Sequence, residues 1–114
     1  MVKTETEKDI KRIVDYFRGR EEVSALYVFG SAAKDRQTPE SDIDVAVLVN
    51  EKKMGKDSFE RLKRQYYAAS PYFSMRTVDI VVLNAADTFL KHQILKTGRV
   101  LFDRNRRLRV RFTE

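Results

Sequence analysis

The chain has 114 residues and no cysteine, with 23 Lys+Arg against 17 Asp+Glu for a net charge of +6. That length suits one domain with a modest core and leaves no room for a second, substrate-binding one; the absence of cysteine excludes disulfides and thiolate metal sites. The longest apolar runs, such as Val45 to Val49, fall far short of the roughly 20 residues a membrane span needs, and the charged start MVKTETEKDIKR has no signal-peptide core, so a cytoplasmic protein is expected.

In chain order, Thr4-x-x-Glu7 has capping-box spacing, and Ile10, Ile13, Val14 and Phe17 follow at helical intervals until Gly19 stops the helix. Residues 23–29, VSALYVF, are β-branched and aromatic and predict a strand, ended by Gly30-Ser31. The turn-rich DRQTPE at 35–40 predicts an exposed loop. Residues 42–49, DIDVAVLV, predict a second strand, buried on both faces beyond Asp44. Asp57 or Ser58 caps a second helix running to Ala69, with Phe59, Leu62 and Tyr66 on one face. A third strand follows at 76–83, RTVDIVVL; then Asp87 caps the helix FLKHQILKT, Gly98 closes it, and RVLF at 99–102 forms a short fourth strand.

The order α-β-β-α-β-α-β predicts a small α+β domain, a mixed β-sheet with helices packed against it, over residues 1–103. Residues 104–114 form a basic tail of five Arg and one Glu, which carries +4 of the net charge and leaves the body near balance. Its Arg107-Leu108-Arg109-Val110-Arg111-Phe112 alternates with a period of two, as an edge strand or a strand pairing with another chain would. Partner docking or RNA contact is the role such a tail suggests, though a nucleic-acid binder usually spreads its basic residues over a face of the fold. Around Pro71, Tyr66 and Tyr67 read as packing residues, whereas Tyr72 and Phe73 are placed to line a partner surface. His92 falls on the helix face away from Leu90, Ile94 and Leu95, an exposed and non-catalytic position.

The carboxylates ask for a reason. Side chains alternate along a strand, so Asp42 and Asp44 share one face about 7 Å apart, while Ile43, Val45 and Val47 point into the core. Asp79 is again a lone carboxylate inside a strong strand pattern; an ion pair with Arg76 is its ordinary fate. If its strand neighbours that of Asp44, three carboxylates converge. Like charges about 5 Å apart repel by roughly 3 kcal/mol per pair at an effective dielectric near 20, so the cluster needs protons, cations or a metal. Oxygen ligands without thiolates suit Mg²⁺ or Mn²⁺. Gly30-Ser31, ending a strand, offers backbone N–H groups and a hydroxyl to phosphate oxygens, and Lys34 one turn on adds a positive charge.

Gly30-Ser31, ten intervening residues, then Asp42-Ile43-Asp44 resembles the G-S-x10-D-x-D signature of the nucleotidyltransferase superfamily related to DNA polymerase β. The blocks YVFGSAAK and SDIDVAVLV and the ending FLKHQILKTGRVLFD resemble its minimal nucleotidyltransferase (MNT) subfamily, over roughly residues 8 to 103. Members of that subfamily act as antitoxins paired with HEPN-domain ribonuclease toxins, transferring AMP from ATP to a toxin tyrosine. The resemblance implies that Asp42 and Asp44 hold two divalent ions, that Asp79 completes the shell of one and accepts the nucleophile's proton, and that Gly30, Ser31 and Ser41 seat the nucleotide with help from Lys34. Two positions depart from the pattern: where many relatives carry Arg and Gly, this chain has Ala32 and Asp35. Positive charge near the phosphates is reduced, but no metal ligand is lost.

The expectation is a metal-dependent adenylyltransferase, with ATP as substrate and Mg²⁺ as cofactor, that silences a HEPN toxin partner in a hetero-oligomer. The alternative is a non-catalytic antitoxin that neutralises its partner by occlusion. A basic RNA-binding protein using the tail is a third reading, whose mark would be steep salt dependence lost with residues 104–114.

Overall fold

The computed structural model of the chain describes residues 5–30 and 42–107. Thr4, the loop 35–40 and the tail from Leu108 onward lie outside them, as do Ser31, Lys34 and Ser41. The main elements follow the expected order: α1 (Glu5–Arg18), β1 (Val23–Phe29), β2 (Ile43–Val49), α2 (Phe59–Ala69), β3 (Val78–Val82), α3 (Thr88–Thr97) and β4 (Arg99–Asp103). Local chemistry sets the helix ends. Ser58 Oγ accepts the Arg61 N–H at 3.2 Å, and Asp87 Oδ1 accepts the Leu90 N–H at 2.8 Å; each satisfies a donor that the first helical turn leaves unpaired.

The four strands form one sheet in the order β3-β2-β1-β4. β1 is antiparallel to both β2 and β4, whereas β2 and β3 are parallel, so the chain must cross back between them and α2 makes the return. Both sheet faces are covered. On one, Val23, Leu26, Val28, Ile43, Val45 and Val47 pack with Ile13 and Phe17 of α1 and Leu62 and Tyr66 of α2. On the other, Ala25, Tyr27, Ala46 and Leu48 pack with Leu83 and with Ile94 of α3. The continuous apolar run of β2 is what two-sided burial demands. No helix among the described residues is long and apolar enough to cross a membrane.

Two buried ionic clusters tie the helices to the sheet. Glu22, 7% exposed, accepts the Tyr66 hydroxyl at 2.6 Å and Arg20 Nε at 3.0 Å, while Arg20 Nη2 reaches Gln65 Oε1 at 2.6 Å. Burial pushes the Glu22 carboxyl up, but the hydrogen bonds from Tyr66, its own backbone and Arg20 outweigh it and hold the group below its ordinary 4.5. A depressed carboxylate stabilises the fold above the unfolded value and loses that contribution as pH falls through the folded one. Tyr66→Phe removes one of these donors from a buried carboxylate and should cost about 1 to 3 kcal/mol at neutral pH. Urea unfolding would read it as a lower midpoint, with the gap to wild type narrowing as the pH drops below 4.5.

In the second cluster, buried Asp9 of α1 pairs with Arg12 and, at 3.6 Å, with Arg76. An ion pair between Arg76 and Asp79 was the ordinary expectation; Arg76 instead turns to α1, and its N–H is taken by Ser74 Oγ at 3.0 Å. This explains why β3 starts at Val78 rather than Arg76. Phe73, expected at a partner surface, is 4% exposed and packs on Tyr16 with ring centroids 4.8 Å apart. β4 ends at Asp103, and Arg106 and Arg107 are already helical.

Candidate active site

β2 enters the sheet at Ile43, whose N–H is taken by Thr77 O at 3.0 Å. That bond pins the strand between its two carboxylates. In the register that follows, Asp44 stands opposite Asp79 on β3 and opposite Phe29 on β1. Asp44 falls on the same face as Ala46 and Leu48, the one α3 covers. The residues expected to converge across strands do so: adjacent strands lie about 4.8 Å apart, and nothing cationic intervenes once Arg76 is committed to Asp9.

The electrostatics follow from this spacing. Asp44 is half-buried, whereas Asp42 and Asp79 are exposed. Burial, the charge of Asp79, a hydrogen bond with Asp79 and the charge of Asp42 push the Asp44 carboxyl up from 3.8 to about 6. A carboxyl raised by its neighbours marks a place where the fold holds like charges together at a cost.

Gly30 completes the geometry. Its φ is +69°, in the left-handed region, and a Cβ placed there would lie 2.4 Å from Asp44 Oδ2. Only a residue without a side chain lets the carboxylate rest against the backbone. The sequence marks Gly30 as a phosphate-seating residue; its steric fit to Asp44 is a second role that only the fold exposes. Ser31, Lys34 and Ser41 lie outside the described residues. His92 is exposed on α3, as expected.

Among the described residues, no three His, Cys, Asp or Glu groups already stand as a closed metal-binding cluster. The pair Asp44 and Asp79 is formed, and Asp42 contributes its charge from just ahead of the strand. The donor set, carboxylates only, with the Gly30 backbone leaving space against Asp44, fits a hard divalent ion. A cavity of about 360 Å³ lined by Arg18, Phe102, Asp103 and Arg104 lies at the opposite end of the sheet, since Asp103 pairs with Ala25 and not with the Gly30 end of β1. It contains none of these carboxylates.

A small α+β sheet that opposes two strand-borne aspartates beside a strand-ending glycine belongs to the class of nucleotidyl-transfer domains. The chain is a member of the polymerase beta nucleotidyltransferase family, which it matches over residues 11–107. No curated protein matches it in sequence. Among solved structures it is similar to a chain of a toxin–antitoxin complex with AMP-PNP, at 27% identity and TM-score 0.68, covering 90% of this chain and 78% of that one. It is also similar to a chain of the complex between tri-AMPylated Shewanella oneidensis HEPN toxin and MNT antitoxin, at 22% identity and TM-score 0.67, with 96% and 80% covered. A chain of the MntA–HepT toxin–antitoxin complex matches at 23% identity and TM-score 0.61, covering 95% and 77%. The last two likenesses speak for the fold.

Proposed function

We propose that this nucleotidyltransferase moves AMP from ATP to a tyrosine hydroxyl of a HEPN-domain toxin and so acts as its antitoxin. The observation that carries the reading is the Asp44–Asp79 pair, opposed across parallel strands with Gly30 against it. The similarity to a toxin–antitoxin chain with AMP-PNP supports a nucleotide substrate, and the AMPylated toxin of a fold relative supports the acceptor class.

Asp42, Asp44 and Asp79 would hold Mg²⁺, or Mn²⁺ in its place. Bound there, the metal would neutralise triphosphate charge and make the acceptor hydroxyl more acidic. The rest falls to the chain. Gly30, and Ser31 with Ser41 and Lys34 beyond the described residues, seat the phosphates; Asp79, the exposed member of the pair, takes the proton as the tyrosine oxygen bonds to the α-phosphorus and pyrophosphate leaves. The rigid strands hold the carboxylates in place before substrate arrives.

The test is transfer of label from α-labelled ATP with Mg²⁺ to the HEPN-domain protein of the same organism. Labelled tyrosine with wild type, and none with Asp42→Asn/Asp44→Asn, is the expected result. Absence of transfer from any of the four nucleotides within a stable complex would overturn the catalytic reading. The competing reading, neutralisation by occlusion, predicts that the same double variant still protects against the toxin.

A further inference from the structure

The segment between α2 and β3 buries and exposes neighbouring side chains in an unusual way. Phe73 and Ser74 are 4% and 7% exposed, while Tyr72 and Met75 on either side of them are 90% and 94% exposed. The backbone beneath is fixed. Phe73 and Ser74 N–H groups both bond to Ser70 O, at 3.1 and 3.0 Å; Ser70 Oγ bonds to Tyr67 O at 2.8 Å, and Arg12 Nε to Phe73 O at 3.3 Å. The Phe73 ring is clamped by Tyr16 and Phe17. Two large apolar side chains are therefore displayed to water from a rigid frame, the preorganisation that lowers the entropic cost of binding. Tyrosine and methionine are both enriched at protein interfaces.

Position says what meets them. Met75 is two residues, about 7 Å of chain, from Thr77, whose carbonyl holds Ile43 between Asp42 and Asp44. The display thus flanks the carboxylate end of the sheet. The open edge of β3 beside it is already closed, because the Tyr67 hydroxyl takes the Ile80 N–H at 2.8 Å and meets Ile80 O at 3.3 Å. Side chains and not strand pairing are what this flank offers. A second copy docked face to face here would set carboxylates against carboxylates, and a nucleic-acid strand would meet the same negative charge.

We infer that Tyr72 and Met75 form the docking platform for the protein that presents the acceptor hydroxyl to Asp44 and Asp79; this rests on the function proposed above. The platform holds the partner over the open end of the sheet so that its tyrosine reaches the nucleotide.

The experiment compares wild type with Tyr72→Ala/Met75→Ala, using the HEPN-domain protein of the same organism as the partner. Both side chains are exposed, so the melting temperature should match wild type. The variant should show an acceptor KM raised at least tenfold and weaker partner binding by calorimetry, with AMP-PNP affinity in Mg²⁺ unchanged. An unchanged acceptor KM and unchanged partner affinity would overturn the platform. If wild type binds the partner without labelling it, the transfer reading fails, and loss of that binding in the variant alone still upholds the platform. Wild-type self-association in sedimentation that the variant loses would overturn the choice of occupant in favour of a second copy.

Discussion

Asp44→Asn is expected to lower nucleotidyl transfer by roughly three orders of magnitude and to raise the melting temperature at pH 8. The first effect follows from losing a metal-holding carboxylate, since a catalytic ion supplies several kcal/mol of charge stabilisation and each 1.36 kcal/mol is tenfold in rate. The second follows from linkage. Burial and the charges of Asp79 and Asp42 raise the Asp44 carboxyl to about 6 from 3.8. A group raised on folding favours the native state below its unfolded value and loses that contribution as the pH rises through the folded one. Above pH 6 the wild-type protein therefore holds an ionised Asp44 against its neighbours. Asparagine keeps the shape, removes the charge and donates a hydrogen bond to Asp79. Calorimetry in EDTA from pH 4.5 to 8 should show the variant's advantage growing with pH. Mg²⁺ should then raise the wild-type melting temperature and leave the variant's nearly unchanged, because only a ligand of the native state stabilises it. Equal melting temperatures at pH 8 in EDTA would refute the repulsion argument.

Gly30→Ala carries the other large effect. A side chain at φ +69° costs about 1 to 2 kcal/mol from the left-handed conformation alone, and its Cβ would meet Asp44 Oδ2 at 2.4 Å. The carboxylate or the strand end has to move. A misplacement of about 1 Å at a reacting centre is worth on the order of a hundredfold in rate, so transfer should drop by about that factor. Gly55 is the internal control: its φ is +63°, yet nothing lies within 4 Å of an added Cβ. Gly55→Ala should pay the conformational cost and leave transfer intact. Both Gly30→Ala and Asp44→Asn act through one carboxylate, so their combination should lose no more activity than Asp44→Asn alone. Equal activity losses in Gly30→Ala and Gly55→Ala would show that the clash with Asp44 does not matter.

What the sequence determined by itself was local. Helical spacing in Ile13, Val14 and Phe17, the caps at Ser58 and Asp87, and the apolar run after Asp44 each depend on residues a few positions apart, and each element formed where those signals stood. The carboxylate pair on one strand was legible for the same reason, as was the spacing from Gly30 to Asp42. The tertiary structure decided everything that joins distant positions: that β3 lies beside β2 and parallel to it, so that Asp79 opposes Asp44 across 35 residues of chain; that Arg76 turns to Asp9; that Phe73 is buried while Tyr72 is displayed; and that Gly30 must lack a side chain because Asp44 rests against it. Periodicity and capping are properties of one segment, whereas these contacts depend on strand order and register, which arise only when separate apolar faces are buried together.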